Sequence, residues 1–403
     1  MTESLAVQPI QTGRFAGGFR SPSRRASSLF VTVALSTSGA ACVSTPRPIF
    51  EPLDAPPAWP PPPAPARVQY VGQLRGAKDL KPPRRLGQGI SRLFLGKPEE
   101  RELFGPKDVV CTPDGERVWI ADPGGRCLHL FDLRTRQYKR VQRAGASLFW
   151  SPIGLCLGPP GSILVCDSHS AAIHQLSDRT GELMHTLETD ADLLRPVALA
   201  FRPAEEELVV VDVSAHDVKV LKLNGQLVRV LGRRGTEPGA FNYPCDVADA
   251  GDVLWIADSG NQRVQGITAE GAPVVSIGQA GDAPGDLALP KSLAVDAEGH
   301  VYVVDARFEN VQVFDRTGRL LLVLGEEGRG PGQFWLPGGV YVDATNRIWI
   351  CDAYNRRVQV FQYFPQKPEA AIPVSRGLEV RADPRRLKPA ARWACFFTVT
   401  GGT

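Results

Sequence analysis

The sequence is poor in the side chains that metal and thiol chemistry require. Its 403 residues hold six histidines and eight cysteines. No two cysteines stand as Cys-x-x-Cys, so the common zinc and redox motifs have no support. His129, His169, His174, His185, His216 and His300 have no metal-ligand spacing. A Gly-x-Ser-x-Gly elbow is missing, and the spacing suggests no cysteine–histidine couple. Net charge is also small, a formal +3. Arg14, Arg20, Arg24 and Arg25 against Glu3 account for all of it, leaving the remainder near neutral. That balance argues against a nucleic-acid partner. What is abundant is glycine and proline, 40 and 35 residues, which with only two methionines fits many short strands and turns rather than helices.

The chain is organised around Leu254-Trp-Ile-Ala-Asp-Ser-Gly-Asn-Gln-Arg-Val-Gln265, an apolar run into an aspartate, a polar turn and a second run. This reads as strand, tight turn, strand. The pattern returns at Ile348–Gln359 and, less cleanly, around four other aspartates. Asp122, Asp167, Asp212, Asp258, Asp305 and Asp352 are separated by 45, 45, 46, 47 and 47 residues. A period of roughly 40–50 residues points to a propeller or a solenoid. Pro106, Pro152, Pro196, Pro244, Pro290 and Pro337 keep the same step, each opening a short apolar run.

Three of these prolines close near-identical loops, Gly232–Pro244, Gly278–Pro290 and Gly325–Pro337. The unit of proline, apolar strand, turn, strand to aspartate, Asn-x-Arg-Val, strand and Gly-x-x-Gly-x-x-Pro-Gly-x-Phe resembles the NHL repeat. The resemblance covers about Phe104 to Phe364 and implies an all-β, six-bladed β-propeller. Trp119, Trp255 and Trp349, three before their aspartates, are expected to pack blade on blade. The six aspartates are expected to be structural, accepting backbone N–H groups of the turn that follows. Blades four and six are closest to the family. Elsewhere the Asn and Arg of the turn become Gly125 and Cys127, Ser170 and Ala172, Ala215 and Asp217, or Phe308 and Asn310. Cys166 and Cys351 share a position with Ala121 and Ala257 and read as small buried fillers in separate blades.

The ends differ from the middle. Residues 1–41 read as a signal peptide, with a basic start and the short apolar run Ser28–Leu35, well under the ~18 residues of a spanning helix. Gly39-Ala-Ala-Cys42 resembles a bacterial lipoprotein box, although Gly39 replaces the usual Leu, and it implies lipidation of Cys42; plain cleavage near Ala41 is the alternative. Val43 and Ser44 after the cysteine favour the outer membrane, by family analogy. Residues 42–66 hold a Pro-rich run expected to be an extended tether without a core. The propeller is expected over 67–364. Its last repeat has only one strand after Asp352, so Arg67–Leu74, which alternates polar and apolar, is expected to complete it and close the ring. Leu86–Leu95 suggests a short amphipathic helix, and 365–403 a poorly ordered tail.

Function is less legible. The peptide-amidating lyases resemble this fold and hold zinc with histidines at the openings of channel strands. Here Lys107-Asp108, Ile153-Gly154, Val197-Ala198, Cys245-Asp246, Lys291-Ser292 and Gly338-Gly339 follow the six prolines, with no histidine among them. No catalytic residue, metal or cofactor is therefore assigned. Lys107, Asp108, Asp246, Lys291 and Ser292 are candidate ligand-binding residues at the channel mouth, or pair with each other and water. The expected function is a tethered binding scaffold for a protein or cell-envelope partner, monomeric and exported, facing the periplasm. The alternatives are a metal-dependent lyase or hydrolase and a small-molecule sensor.

Overall fold

The structure is a computed structural model that describes residues 47–81 and 102–365. Five blades are antiparallel four-stranded sheets built from consecutive strands. Blade one runs Asp108–Cys111, Arg117–Asp122, Cys127–Asp132 and Gln137–Val141, and blades two to five repeat this order from Pro152, Pro196, Pro244 and Pro290. Blade six takes Pro337–Val342, Arg347–Asp352 and Arg357–Tyr363 from the end of the described chain and Val68–Leu74 from its start. Val68 pairs with Tyr363 and Leu74 with Val358, so the N-terminal strand closes the ring as the alternation predicts. The first strand of every blade packs on that of the next, and blade six returns to blade one. Closure matters because an open arc would leave two unpaired sheet edges.

The second strand of each blade is buried along almost its whole length, with an apolar middle, because neighbouring blades cover both of its faces. Trp119, Trp255 and Trp349 are at most 1% exposed. Trp119 also donates its indole N–H to the Asp178 carbonyl of blade two at 2.9 Å, tying adjacent blades. The loop repeated before blades four and six needs glycine. Gly325 has φ 87°, and a Cβ there would lie 2.3 Å from the ring of buried Phe334.

The expected tether is the element in which structure and expectation part. From Arg47 onward the Pro-rich stretch packs on the ring, Arg47 held by Arg136 of blade one and the rest lying along blade six. Ala58–Trp59 pairs with Val68–Gln69 as a fifth strand. Trp59 packs edge-on against Phe361, and Phe50 against Trp349. Proline removes few needed donors at an outermost strand, and two aromatics supply the contact area that composition hides. Cys42, residues 1–41, the helix expected at Leu86–Leu95 and the tail from 366 lie outside the described residues. None of the described helices is long and apolar enough to cross a membrane.

Candidate functional site: the channel and its mouth

The repeat aspartates set the geometry of one face. Each is at most 1% exposed. Asp122 accepts N–H bonds from Phe104 and Gly105, at 2.6 and 3.1 Å, and from Gly125 at 2.8 Å. The carboxylates thus bind the loop before each proline as well as the turn that follows. Asp167, Asp212 and Asp305 repeat this with their own loop and turn. Loops and turns therefore share the face on which the channel strands begin.

The partners of these carboxylates record how the repeats diverged. In blades four and six an arginine and a glutamine complete the site. Arg263 and Gln265 donate to Asp258, and Arg357 and Gln359 to Asp352, at 2.7 to 3.1 Å. Blade three uses Lys219 on Asp212. Blade one uses His129, whose Nε2 is 3.2 Å from Asp122 and 3.3 Å from the Cys127 sulfur. A cysteine–histidine contact therefore exists where spacing suggested none, because residues two apart on a strand share a face. Both side chains are at most 1% exposed, so they fill the core and meet no substrate. Burial pushes the His129 pKa down, but its bonds to Asp122 and Cys127 outweigh that and hold it above the usual histidine value.

The residue closing each turn has φ between 50° and 59°: Arg126, Ala171, His216, Gln262, Glu309 and Arg356. Five of the six reach the loop of the next blade. Arg126 lies over Trp150 and Arg356 over Phe104. His216 accepts the Tyr243 N–H, Gln262 donates to the Ala288 carbonyl, and Glu309 accepts the Leu336 N–H. Arg329 stacks on Trp335, which meets Tyr354, and Trp150 meets His169. Among the described residues, every exposed aromatic except Phe364 lies on this face: Phe104, Trp150, Tyr243, Trp335 and Tyr354. Sequence reading missed this arc across blades six, one and two. Its signal was the repeat position two before the proline.

Beneath the face, Lys107, Asp108, Asp246, Lys291 and Ser292 all line one cavity of ≈ 320 Å³, with Ile153, Arg195, Val197, Tyr243, Cys245 and Ser259 among the other residues around it. Arg195 and Tyr243, each directly before a proline, had not been picked from the sequence. The residue two after the proline links blade to blade. Asp108 accepts its own Val109 N–H at 2.8 Å and Leu155 N–H of blade two at 2.7 Å. Asp246 accepts Val247, Leu293 of blade five, and the Ser292 hydroxyl. Ser292 in turn accepts Val340 N–H of blade six at 3.1 Å. At Gly339 the side chain is missing because a Cβ would stand 2.7 Å from an Asp108 oxygen.

Asp108 and Asp246 sit on blades one and four, opposite each other, and border a second cavity of ≈ 220 Å³ as well. The channel therefore holds a facing pair of carboxyl groups besides the six repeat aspartates. Burial, then the Asp246 charge, pushes the Asp108 pKa well above the carboxylate range. Burial likewise pushes Asp246 up to about 6 against its hydrogen bonds. Through these bonds Asp108 ties blade one to blade two, and Asp246 ties blade four to blade five. Neither lysine ammonium has a hydrogen bond or ion pair among the described residues. No histidine lines the cavity, and no group of three metal-binding side chains occurs among the described residues.

The NHL repeat family model matches residues 334–361, the loop, strands and aspartate of blade six. The chain is a six-bladed β-propeller that carries an NHL repeat in its sixth blade. Solved structures share its fold at low identity. An auxiliary nutrient binding protein from Bacteroides thetaiotaomicron VPI-5482 is 14% identical, with a TM-score of 0.51 over 65% of this chain and 69% of that one. One from Bacteroides ovatus ATCC 8483 is 13% identical, with a TM-score of 0.51 over 65% and 70%. A virginiamycin B lyase from Staphylococcus aureus is 12% identical, with a TM-score of 0.48 over 65% and 96%, a likeness too distant for any conclusion about activity.

Proposed function

We propose that this NHL propeller is a non-enzymatic binding scaffold of the cell envelope, holding a protein or envelope partner against its channel-mouth face. The observation that carries the reading is the arc of exposed arginine–aromatic stacks on that face. Arg126, Trp150, Trp335, Tyr354, Arg356 and Phe104 have the composition of protein-binding hot spots, with large rigid rings and guanidinium edges. They stand on turns held by buried carboxylates, so little order has to be gained on binding. The signal-like N-terminus supports export, and the two nutrient binding propellers agree with a binding role at the level of fold alone. Cross-linking in cells followed by mass spectrometry tests it. Trp150→Ser with Trp335→Ser is expected to abolish a specific cross-linked partner while leaving the melting temperature within about 2 °C. An unchanged partner profile, or chelator-sensitive turnover of a lactone or amidated-peptide precursor, overturns it.

A further inference from the structure

The walls of the channel cavity are divided by chemistry. The residues directly after the six prolines form a ring, one per blade. In blades two, three and four they are Ile153, Val197 and Cys245. In blades five, six and one they are Lys291, Gly338 and Lys107. One half of the ring is apolar and the other cationic, with a glycine between the two ammonium-bearing side chains. Gly338 and Gly339 bring no side chain into that interval, and the Lys107 stem passes over Gly338, 3.5 Å from where a Cβ would stand. A notch is left between two lysines, opposite a hydrocarbon wall that Val213 extends. The volume, ≈ 320 Å³, lies at the low end of small-molecule pockets, about 300–1,000 Å³.

Three cationic side chains, Lys107, Lys291 and Arg195, line the cavity against two carboxyl groups. Asp108 and Asp246 are engaged by backbone and serine donors, while both lysines lack partners among the described residues. Arg195, at the rim on blade three, also makes no side-chain bond there. Burial, and then repulsion from Lys291, holds the Lys107 ammonium below the usual lysine range, against the pull of the neighbouring Cys245. An anion between the two lysines offsets that repulsion and stands in for water that burial has removed.

We propose that the channel binds a small amphiphilic anion, its carboxylate or phosphate head between Lys107 and Lys291 and its apolar body against Ile153, Val197 and Val213. This site is separate from the aromatic arc of the outer face and needs no macromolecular partner. Lys107 and Lys291 serve as charge donors to the head, Arg195 screens it from the mouth, and the apolar wall discriminates against fully hydrated ions. Isothermal titration of the purified protein with octanoate, monooctyl phosphate, 1-octanol and inorganic phosphate tests it. Octanoate, monooctyl phosphate or both are expected to bind at least about tenfold more tightly than octanol or inorganic phosphate. Which of the two is tighter assigns the head group. Lys107→Met with Lys291→Met is expected to erase that preference, and Lys291→Met alone to weaken it should the double variant not fold. Equal binding of inorganic phosphate, equal binding of octanol, or unchanged affinity in a folded lysine variant overturns the proposal. Trp150→Ser with Trp335→Ser is expected to leave octanoate affinity unchanged, which separates this site from the partner-binding reading.

Discussion

Blade one carries a titratable residue where blades four and six carry glutamine. Gln265 and Gln359 each donate to their repeat aspartate at 3.1 Å, and His129 takes the same place over Asp122 at 3.2 Å. A histidine held above its usual pKa binds a proton more tightly in the folded chain than in the unfolded one. Its stabilisation is complete below the unfolded value of about 6.5 and is lost as pH rises through the raised folded value. His129→Gln is therefore expected to fold and to flatten the dependence of melting temperature on pH as it rises from about 6.5. Thermal unfolding of both proteins across that range checks it. Parallel curves would mean that Asp122 does not distinguish the two side chains. Period-2 spacing on one strand could have announced the Cys127–His129–Asp122 contact, but nothing in spacing marks which face of a strand turns inward.

At the scale of the element, the Pro-rich stretch is the informative case. Composition reads it as a tether, since prolines build no ladder and offer no core. Two aromatics decide otherwise: Trp59 lies 5.7 Å from Phe361 between ring centroids, and Arg67 donates its N–H to the Trp59 carbonyl at 2.7 Å. Arg357 then locks the closing strand, donating to Asp352 at 2.7 Å and to Gln73 at 3.1 Å while only 2% exposed. Trp59→Ala is expected to cost about 2 kcal/mol, less than the ~3–5 of a fully buried aromatic because Trp59 is half-buried. Chemical denaturation measures it. A chain beginning at Leu103 loses Val68–Leu74 as well and is expected to aggregate or to lose its single cooperative transition. A transition as sharp as that of the full chain would refute closure by the N-terminal strand.

The whole molecule has a direction. All described aspartate-bound loops and turns lie on the mouth face, so how the ring is attached decides what that face can meet. If Cys42 bears lipid, four residues separate the anchor from Arg47, whose carbonyl already accepts a hydrogen bond from Arg136 of blade one. The ring is then held close to the bilayer rather than at the end of a long tether. Cys42→Ser, expressed in a diderm bacterium, is expected to move the protein from the membrane to the soluble fraction or to stall its processing. Fractionation and intact mass of the N-terminal peptide check it, and an unmodified wild-type N-terminus would leave the ring unanchored.

The six-blade plan, the buried tryptophans and the closing strand were legible in order along the chain. Strand alternation, turn chemistry and a period of 45 to 47 residues are local signals repeated six times. The residues of the channel were legible only as a set, Lys107, Asp108, Asp246, Lys291 and Ser292. Folding added what no spacing contains: Asp108 and Asp246 face each other because they lie three blades apart in a ring of six. Lys107 and Lys291, 184 positions apart in sequence, flank one glycine-lined notch for the same reason. Neighbours across a closed ring are set by the closure itself, and so are the charge, the apolar wall and the space between them.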